Sequence, residues 1–162
     1  MSAPHPMHPN VARVIAAASA TGLELRVQRF PEGTRSAADA ARAVGCEVGQ
    51  IVKSLVFMAD GMPVLAMVSG AHQLDPARLA TAIGASEVRR ATGDEVRLAT
   101  GYAIGGVPPL GHATAVPVLI DRHLLEHEVV WAAAGLPDAV FAADPRRLAG
   151  AAGAREAELA AD

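Results

Sequence analysis

The sequence predicts an α/β (α+β) fold: a single domain with a mixed, partly antiparallel sheet surrounded by short helices. Three observations predict it. Capped segments of helical periodicity are interspersed with short apolar runs. Two of those runs, 51–58 and 64–68, flank Asp60-Gly61-Met62-Pro63 as the strands of a hairpin would. No strict strand–helix–strand repeat occurs, so the sheet is not expected to be wholly parallel. At 162 residues the chain is long enough to bury roughly two thirds of its unfolded surface in one domain, 1–162. The expected core runs from about 23 to 148, with frayed ends at 1–10 and 150–162.

Each element has a local signal. Val11, Val14, Ile15 and Ala18 follow Asn10, an expected N-cap, at helical spacing, and Gly22 closes that helix. Leu23, Leu25 and Val27 alternate with polar residues as in a half-buried strand, and Pro31-Glu32-Gly33 turns the chain. Ser36 and Asp39 have capping-box spacing and start a helix that ends at Gly45. After the hairpin, Asp75-Pro76 opens a helix to Gly84, and Thr92 with Glu95 opens another to about Thr100. Residues 101–112 are too rich in Gly and Pro for a regular element. Strands are expected at 116–120, 129–133 and 139–142. Asp144-Pro145 then starts a last helix running into an Ala/Gly-rich tail.

Composition narrows the function. Half of the residues are hydrophobic, mostly Ala, Val and Leu, so the core is built from small aliphatic contacts. A net charge of −3 argues against a broad grip on a nucleic-acid duplex, which needs many clustered cations, but allows a site that holds only the end of one. The lone Cys46 fits a reducing cytoplasm, and Glu47 beside it raises its thiol pKa. No apolar run approaches the ~18 residues of a membrane span, so no membrane partner is expected. The stretch after Asn10 reads as an amphipathic helix rather than a secretion signal, and the expected location is cytoplasmic.

The most informative residue is Lys53. The chain holds thirteen arginines and a single lysine, and that lysine lies in the apolar run Ile51-Val52-Lys53-Ser54-Leu55-Val56-Phe57-Met58. Alternation puts Ile51, Lys53, Leu55 and Phe57 on one face and Val52, Ser54, Val56 and Met58 on the other. Both faces are apolar, so Lys53 points into an interior or a pocket unless it snorkels to water. An ammonium, unlike a guanidinium, shifts its pKa readily on burial.

The loop Gly101-Tyr-Ala-Ile-Gly-Gly-Val-Pro-Pro-Leu-Gly-His112 is the second signal. Gly105-Gly106 lets main chain approach a ligand, while Pro108-Pro109 stiffens the other arm. Such a loop suits a phosphate, a ribose or a developing oxyanion, or is simply a tight crossover. It lacks the spacing of a phosphate-binding P-loop and of the dinucleotide fingerprint, so no nucleotide cofactor is expected. His123-Leu-Leu-Glu126-His127 matches a reversed zinc-peptidase pattern, but its place in a short connection between strands argues against metal. No serine-nucleophile elbow is present. His72 and His112 could orient or transfer protons, or be locally bonded imidazoles.

Taken in order, Thr34-x-Ser36 with its Ala-rich helix, the Lys53 strand, the loop from Thr100 to Gly111 and the strand end at Asp121 resemble the YbaK/EbsC family. These are free-standing relatives of the editing domain of bacterial prolyl-tRNA synthetases. The resemblance spans about residues 34–148. It implies a trans-editing deacylase, free of metal and other cofactors, that hydrolyses the ester of a mischarged tRNA, typically tRNA(Pro). Its partners would be the acceptor end of an aminoacyl-tRNA and a prolyl-tRNA synthetase. By resemblance Lys53 is the critical residue, and the main-chain donors of Gly105 and Gly106 are expected to stabilise the developing oxyanion as the other catalytic groups. Thr34, Ser36, Tyr102, Val107, Pro108, Pro109 and His112 would bind substrate, the loop approaching the terminal adenosine. The chain departs from the family at Ala132-Ala133-Ala134-Gly135, where a Ser-Gly pair is frequent, and at Pro108, where Ser is common. The amino acid removed therefore stays open among Ala, Ser, Thr and Cys. Two other readings remain: a non-catalytic module that binds tRNA or a synthetase, and a metallohydrolase using His123, Glu126 and His127.

Overall fold

Each helix begins where the sequence offers a side chain able to close its first turn. The computed structural model describes residues 7–31, 34 and 36–161. Helix α1 (Pro9–Ala20) is capped by His8, whose Nδ1 accepts from the Asn10 N–H at 3.0 Å. The expected cap, Asn10, lies inside the first turn, and its Nδ2 donates to the Gly135 carbonyl at 3.1 Å. Ser36 Oγ accepts from the Asp39 N–H and starts α2 (Ala37–Val44). Asp75 caps α3 (Pro76–Ile83) and Asp144 caps α5 (Pro145–Ala152). Between them, Thr92 and Glu95 cap α4 (Gly93–Thr100) reciprocally, as their spacing predicts.

The strands among the described residues are β1 (Val27–Arg29), β2 (Val52–Ala59), β3 (Met62–Ser69), β4 (Val88–Arg90), β5 (Val118–Asp121), β6 (Val130–Ala133), β7 (Ala139–Ala143) and β8 (Arg155–Ala157). The mixed class is as expected, but the strands divide between two sheets. One has the order β4-β2-β3-β5-β8, antiparallel through β4, β2 and β3 and parallel from β3 to β8. The other is the antiparallel set β1-β7-β6, joined to the first by a parallel bridge between Ile51 and Trp131.

Alternation on β3 shows how the large sheet is covered. Leu65 and Met67 pack toward α1, α4, α5 and the small sheet, in one cluster with Val14, Val96, Val130, Phe141 and Leu148. Val64, Ala66 and Val68 pack with Leu79 of α3 and with Leu159 near the chain end. Strand β2 shares both layers through Val52 and Val56 on one side and Phe57 on the other.

Two expectations need correction, one strand was not foreseen, and one expected turn cannot be compared. The strand expected from Leu23 is regular only over Val27–Arg29. Strand β4 has three residues and no alternating pattern long enough to announce it. The turn at Pro31-Glu32-Gly33 lies largely outside the described residues. The tail expected to fray at 150–162 is instead docked as far as Ala161. Strand β8 extends the large sheet, Leu159 and Ala160 are buried, and the Ala161 N–H donates to the Gln73 carbonyl at 2.8 Å. Its partners are remote in sequence, so its Ala/Gly-rich composition gave no sign of them.

Candidate active site

The shortness of β4 creates the site. It pairs with β2 only over Phe57–Ala59, and the Ala91 N–H reaches the Val56 carbonyl at 3.1 Å. At the other end of β2 stands the bridge between Ile51 and Trp131. The margin of β2 between these contacts stays open, and a cavity of about 360 Å³ lies along it. Because the cavity meets the strand edge, Val52, Lys53, Ser54, Leu55 and Val56 all line it, whichever face their side chains occupy. Ala37, Ala40 and Val44 of α2 form a second wall, and Trp131, Ala132, Ala133 and Val140 of the small sheet a third. Ile104, Gly105 and Val107 of the glycine loop complete it, with Thr34, Ser36 and Arg90.

Lys53 and Gly105 therefore share one cavity, together with Thr34, Ser36 and Val107. The Lys53 ammonium donates to the His72 carbonyl, and among the described residues its other two N–H bonds have no partner. Burial, and then repulsion from the Arg90 guanidinium, hold its pKa below that of an ordinary lysine. Arg90 lies opposite Phe57 in the sheet register, its guanidinium 5.9 Å from the ring centre. Arg89 is engaged elsewhere, in a paired contact with Glu95 at 2.7 Å. Among the described residues the cavity wall carries the cations Lys53 and Arg90 and no carboxylate. Thr34 donates its hydroxyl to the Pro137 carbonyl and so ties the entry to α2 onto the small sheet.

The structure brings the other expected residues to the loop but not to the cavity wall. Tyr102 is buried; its hydroxyl donates to the Gly111 carbonyl at 2.8 Å, and Arg13 stacks 5.5 Å from its ring centre. Pro108 and Pro109 are buried, and the Pro108 carbonyl bonds the His112 Nε2 at 2.7 Å. Burial lowers the His112 pKa despite that bond. These residues hold the loop's shape. Gly106 is also structural, because its N–H donates to the Ala103 carbonyl at 3.0 Å. A Cβ there would stand 2.9 Å from the Leu136 Cα and 3.0 Å from its carbonyl carbon. Gly106→Ala is expected to lower stability by about 1–3 kcal/mol, measured by urea denaturation, since main chain cannot yield as a flexible side chain would.

The His123, Glu126 and His127 set does not converge. His123 lies in a 3-10 turn, its Nδ1 bonded to Asp121 Oδ2 at 2.7 Å and its ring stacked on His72 at 4.1 Å. The His127 ring instead lies against Gly49. Among the described residues no three His, Cys, Asp or Glu side chains are placed to hold a metal ion. Likewise, no described helix is long and apolar enough to cross a membrane. Sequence reasoning missed Ser54, Arg90 and Trp131 as wall residues. The missing signal was the length of β4.

Comparison with known proteins gives the family. Residues 31–160 match the family model of the aminoacyl-tRNA editing domain. A solved structure of a candidate trans-editing enzyme for prolyl-tRNA synthetase superposes with a TM-score of 0.91 at 45% identity, covering 97% of this chain and 100% of that one. A hypothetical protein of known structure superposes with a TM-score of 0.84 at 31% identity, covering 91% of this chain and 98% of that one. The proline–tRNA ligase of Citrifermentans bemidjiense is 37% identical over 92 residues, 57% of this chain, and that of Maridesulfovibrio salexigens 30% over 98 residues, 60% of it. This chain covers 16% of the length of either ligase. With the matched region reaching from before α2 to the docked tail, the chain belongs to the aminoacyl-tRNA editing domain family.

Proposed function

We propose that this protein is a hydrolase acting in trans on mischarged aminoacyl-tRNA, and that it cleaves the ester of tRNA(Pro) carrying a small non-cognate amino acid. The observation that carries this reading is the meeting of Lys53 and Gly105 on one cavity of about 360 Å³ with walls of small aliphatic side chains. Family membership supports the editing role, and the likeness to the proline–tRNA ligases supports the choice of tRNA. The volume suits an amino acid with its terminal ribose rather than a whole acceptor stem, consistent with a protein of net charge −3.

The chemistry asked of the site is modest, because the ester of an aminoacyl-tRNA is already activated. Lys53 supplies a positioned positive charge to the ester or to the adjacent phosphate, and Arg90 adds a second cation. Water is the nucleophile, and the loop main chain at Gly105 approaches the terminal ribose. The reaction takes place in the cytoplasm, where tRNA is charged. Purified protein incubated with tRNA(Pro) bearing Ala, Ser, Cys or Thr is expected to release at least one of them and to leave prolyl-tRNA(Pro) intact. Saturable tRNA binding with no release from any member of that panel would make the protein a binding module instead.

A further inference from the structure

Ser54 holds two unclaimed hydrogen-bonding groups beside the cavity, a main-chain pair at the open strand edge and a hydroxyl buried just behind it. The first is its main chain. The Val56 carbonyl bonds Ala91 across the β4 side, whereas the Ile51 carbonyl accepts from Gly70 on the β3 side. Main-chain groups alternate along a strand, so the N–H and C=O of Ser54 face the β4 side with those of Val56. No described strand or loop meets Ser54 there, because β4 stops at the level of Phe57 and the Trp131 bridge lies at Ile51. The cavity occupies that gap. The second group is the hydroxyl. Among the described residues, Ser54 Oγ is the one buried side-chain polar atom with no hydrogen-bond partner. A buried hydroxyl without a partner is destabilising, and such exceptions call for an explanation.

We infer that Ser54, through its main-chain N–H and, after rotation about χ1 toward the cavity, its Oγ–H, receives the ester carbonyl oxygen as that oxygen becomes an anion. This assignment rests on the deacylase reading above. The surroundings favour it: Lys53 and Arg90 make the cavity cationic, no described carboxylate lines it, and the Gly106 N–H is already committed to Ala103. In the step itself, the oxygen of water bonds to the carbonyl carbon while the C=O π pair moves onto the carbonyl oxygen. Ser54 holds that negative charge. Collapse restores the C=O and breaks the bond to the ribose oxygen, which leaves with its electron pair. It takes up the proton that the attacking water releases, giving a free amino acid and a ribose hydroxyl.

The test is Ser54→Ala, assayed by steady-state deacylation and thermal melting. Losing one donor to a developing oxyanion is expected to lower kcat about a hundredfold with KM little changed. The melting temperature should not fall, because the hydroxyl removed has no partner among the described residues. An unchanged kcat, or a raised KM with kcat kept, overturns the assignment while leaving the deacylase reading intact. A loss of kcat together with a lowered melting temperature overturns it in favour of a structural role. Absence of turnover by the wild-type protein on every charged tRNA removes the deacylase reading, and this assignment with it.

Discussion

Lys53→Ala is expected to lose deacylation by about 10²–10³-fold while the protein stays folded. Among the described residues the ammonium makes one hydrogen bond, to the His72 carbonyl, and Lys53 is half-buried at the open edge of β2, so removing it strands no described buried charge. The methylene stem contributes some packing, which Lys53→Met retains; that variant should be as inactive as the alanine form and should melt close to wild type. Lys53→Arg is not expected to restore the rate, because a planar guanidinium needs more room than an ammonium and spreads its charge. Single-turnover hydrolysis of a mischarged tRNA measures all three. Activity within a few-fold of wild type in Lys53→Ala would remove the lysine from the mechanism. The proposed step uses the charged form, whose pKa is lowered by burial and then by Arg90. The rate should therefore decline as pH rises through that lowered value. Arg90→Ala relieves the repulsion and should carry the decline to higher pH.

Asp121→Ala is expected to cause the largest loss of stability, about 3 kcal/mol in urea denaturation at neutral pH. Its carboxylate is fully buried at the end of β5 and serves four donors. Oδ1 accepts from the Leu159 and Ala160 N–H groups at 2.7 and 3.1 Å. Oδ2 accepts from the His123 N–H at 3.2 Å and bonds its Nδ1 at 2.7 Å. Asp121→Asn should destabilise almost as much, since an amide turns one acceptor into a donor that faces N–H groups. Burial alone would raise the pKa of this carboxyl, but the bonds from Leu159, His123 and Ala160 outweigh it and hold the value below that of a free aspartate. A group whose folded pKa is depressed contributes stability that is complete above its unfolded value, about 3.9, and is lost as pH falls through the folded value. Wild type should therefore weaken steeply in acid below about pH 4, and the Asp121→Ala protein much less so. Parallel curves for the two proteins would show that the carboxylate does not brace the tail.

How far the sequence could be read depended on how local each determinant was. The starts of α2, α3, α4 and α5 were legible because Ser36, Asp75, Thr92 with Glu95, and Asp144 act on N–H groups two or three residues away. The tail was not, because Leu159 is held by a carboxylate 38 positions earlier. The meeting of Lys53 with the glycine loop followed from resemblance rather than from any spacing rule. Within that loop, the residues that shape it look the same in sequence as those that touch the cavity. Tyr102, Pro108 and His112 fall in the first group, Gly105 and Val107 in the second. Ser54 escaped notice because alternation assigns its side chain to the face opposite Lys53 and says nothing of which strand edge is left open. Here the flanking strand ends early.

That unflanked margin bears on how such a protein changes over generations. Main-chain N–H groups belong to every residue except proline, so the main-chain part of such a pocket outlasts most substitutions at Ser54, while the hydroxyl's part does not. Residues across the gap, such as Ala40, Val44, Trp131 and Ala133, are free to vary in bulk. Descendants could thus exchange one amino-acid preference for another by resizing the far wall while the hydrolytic apparatus remains in place.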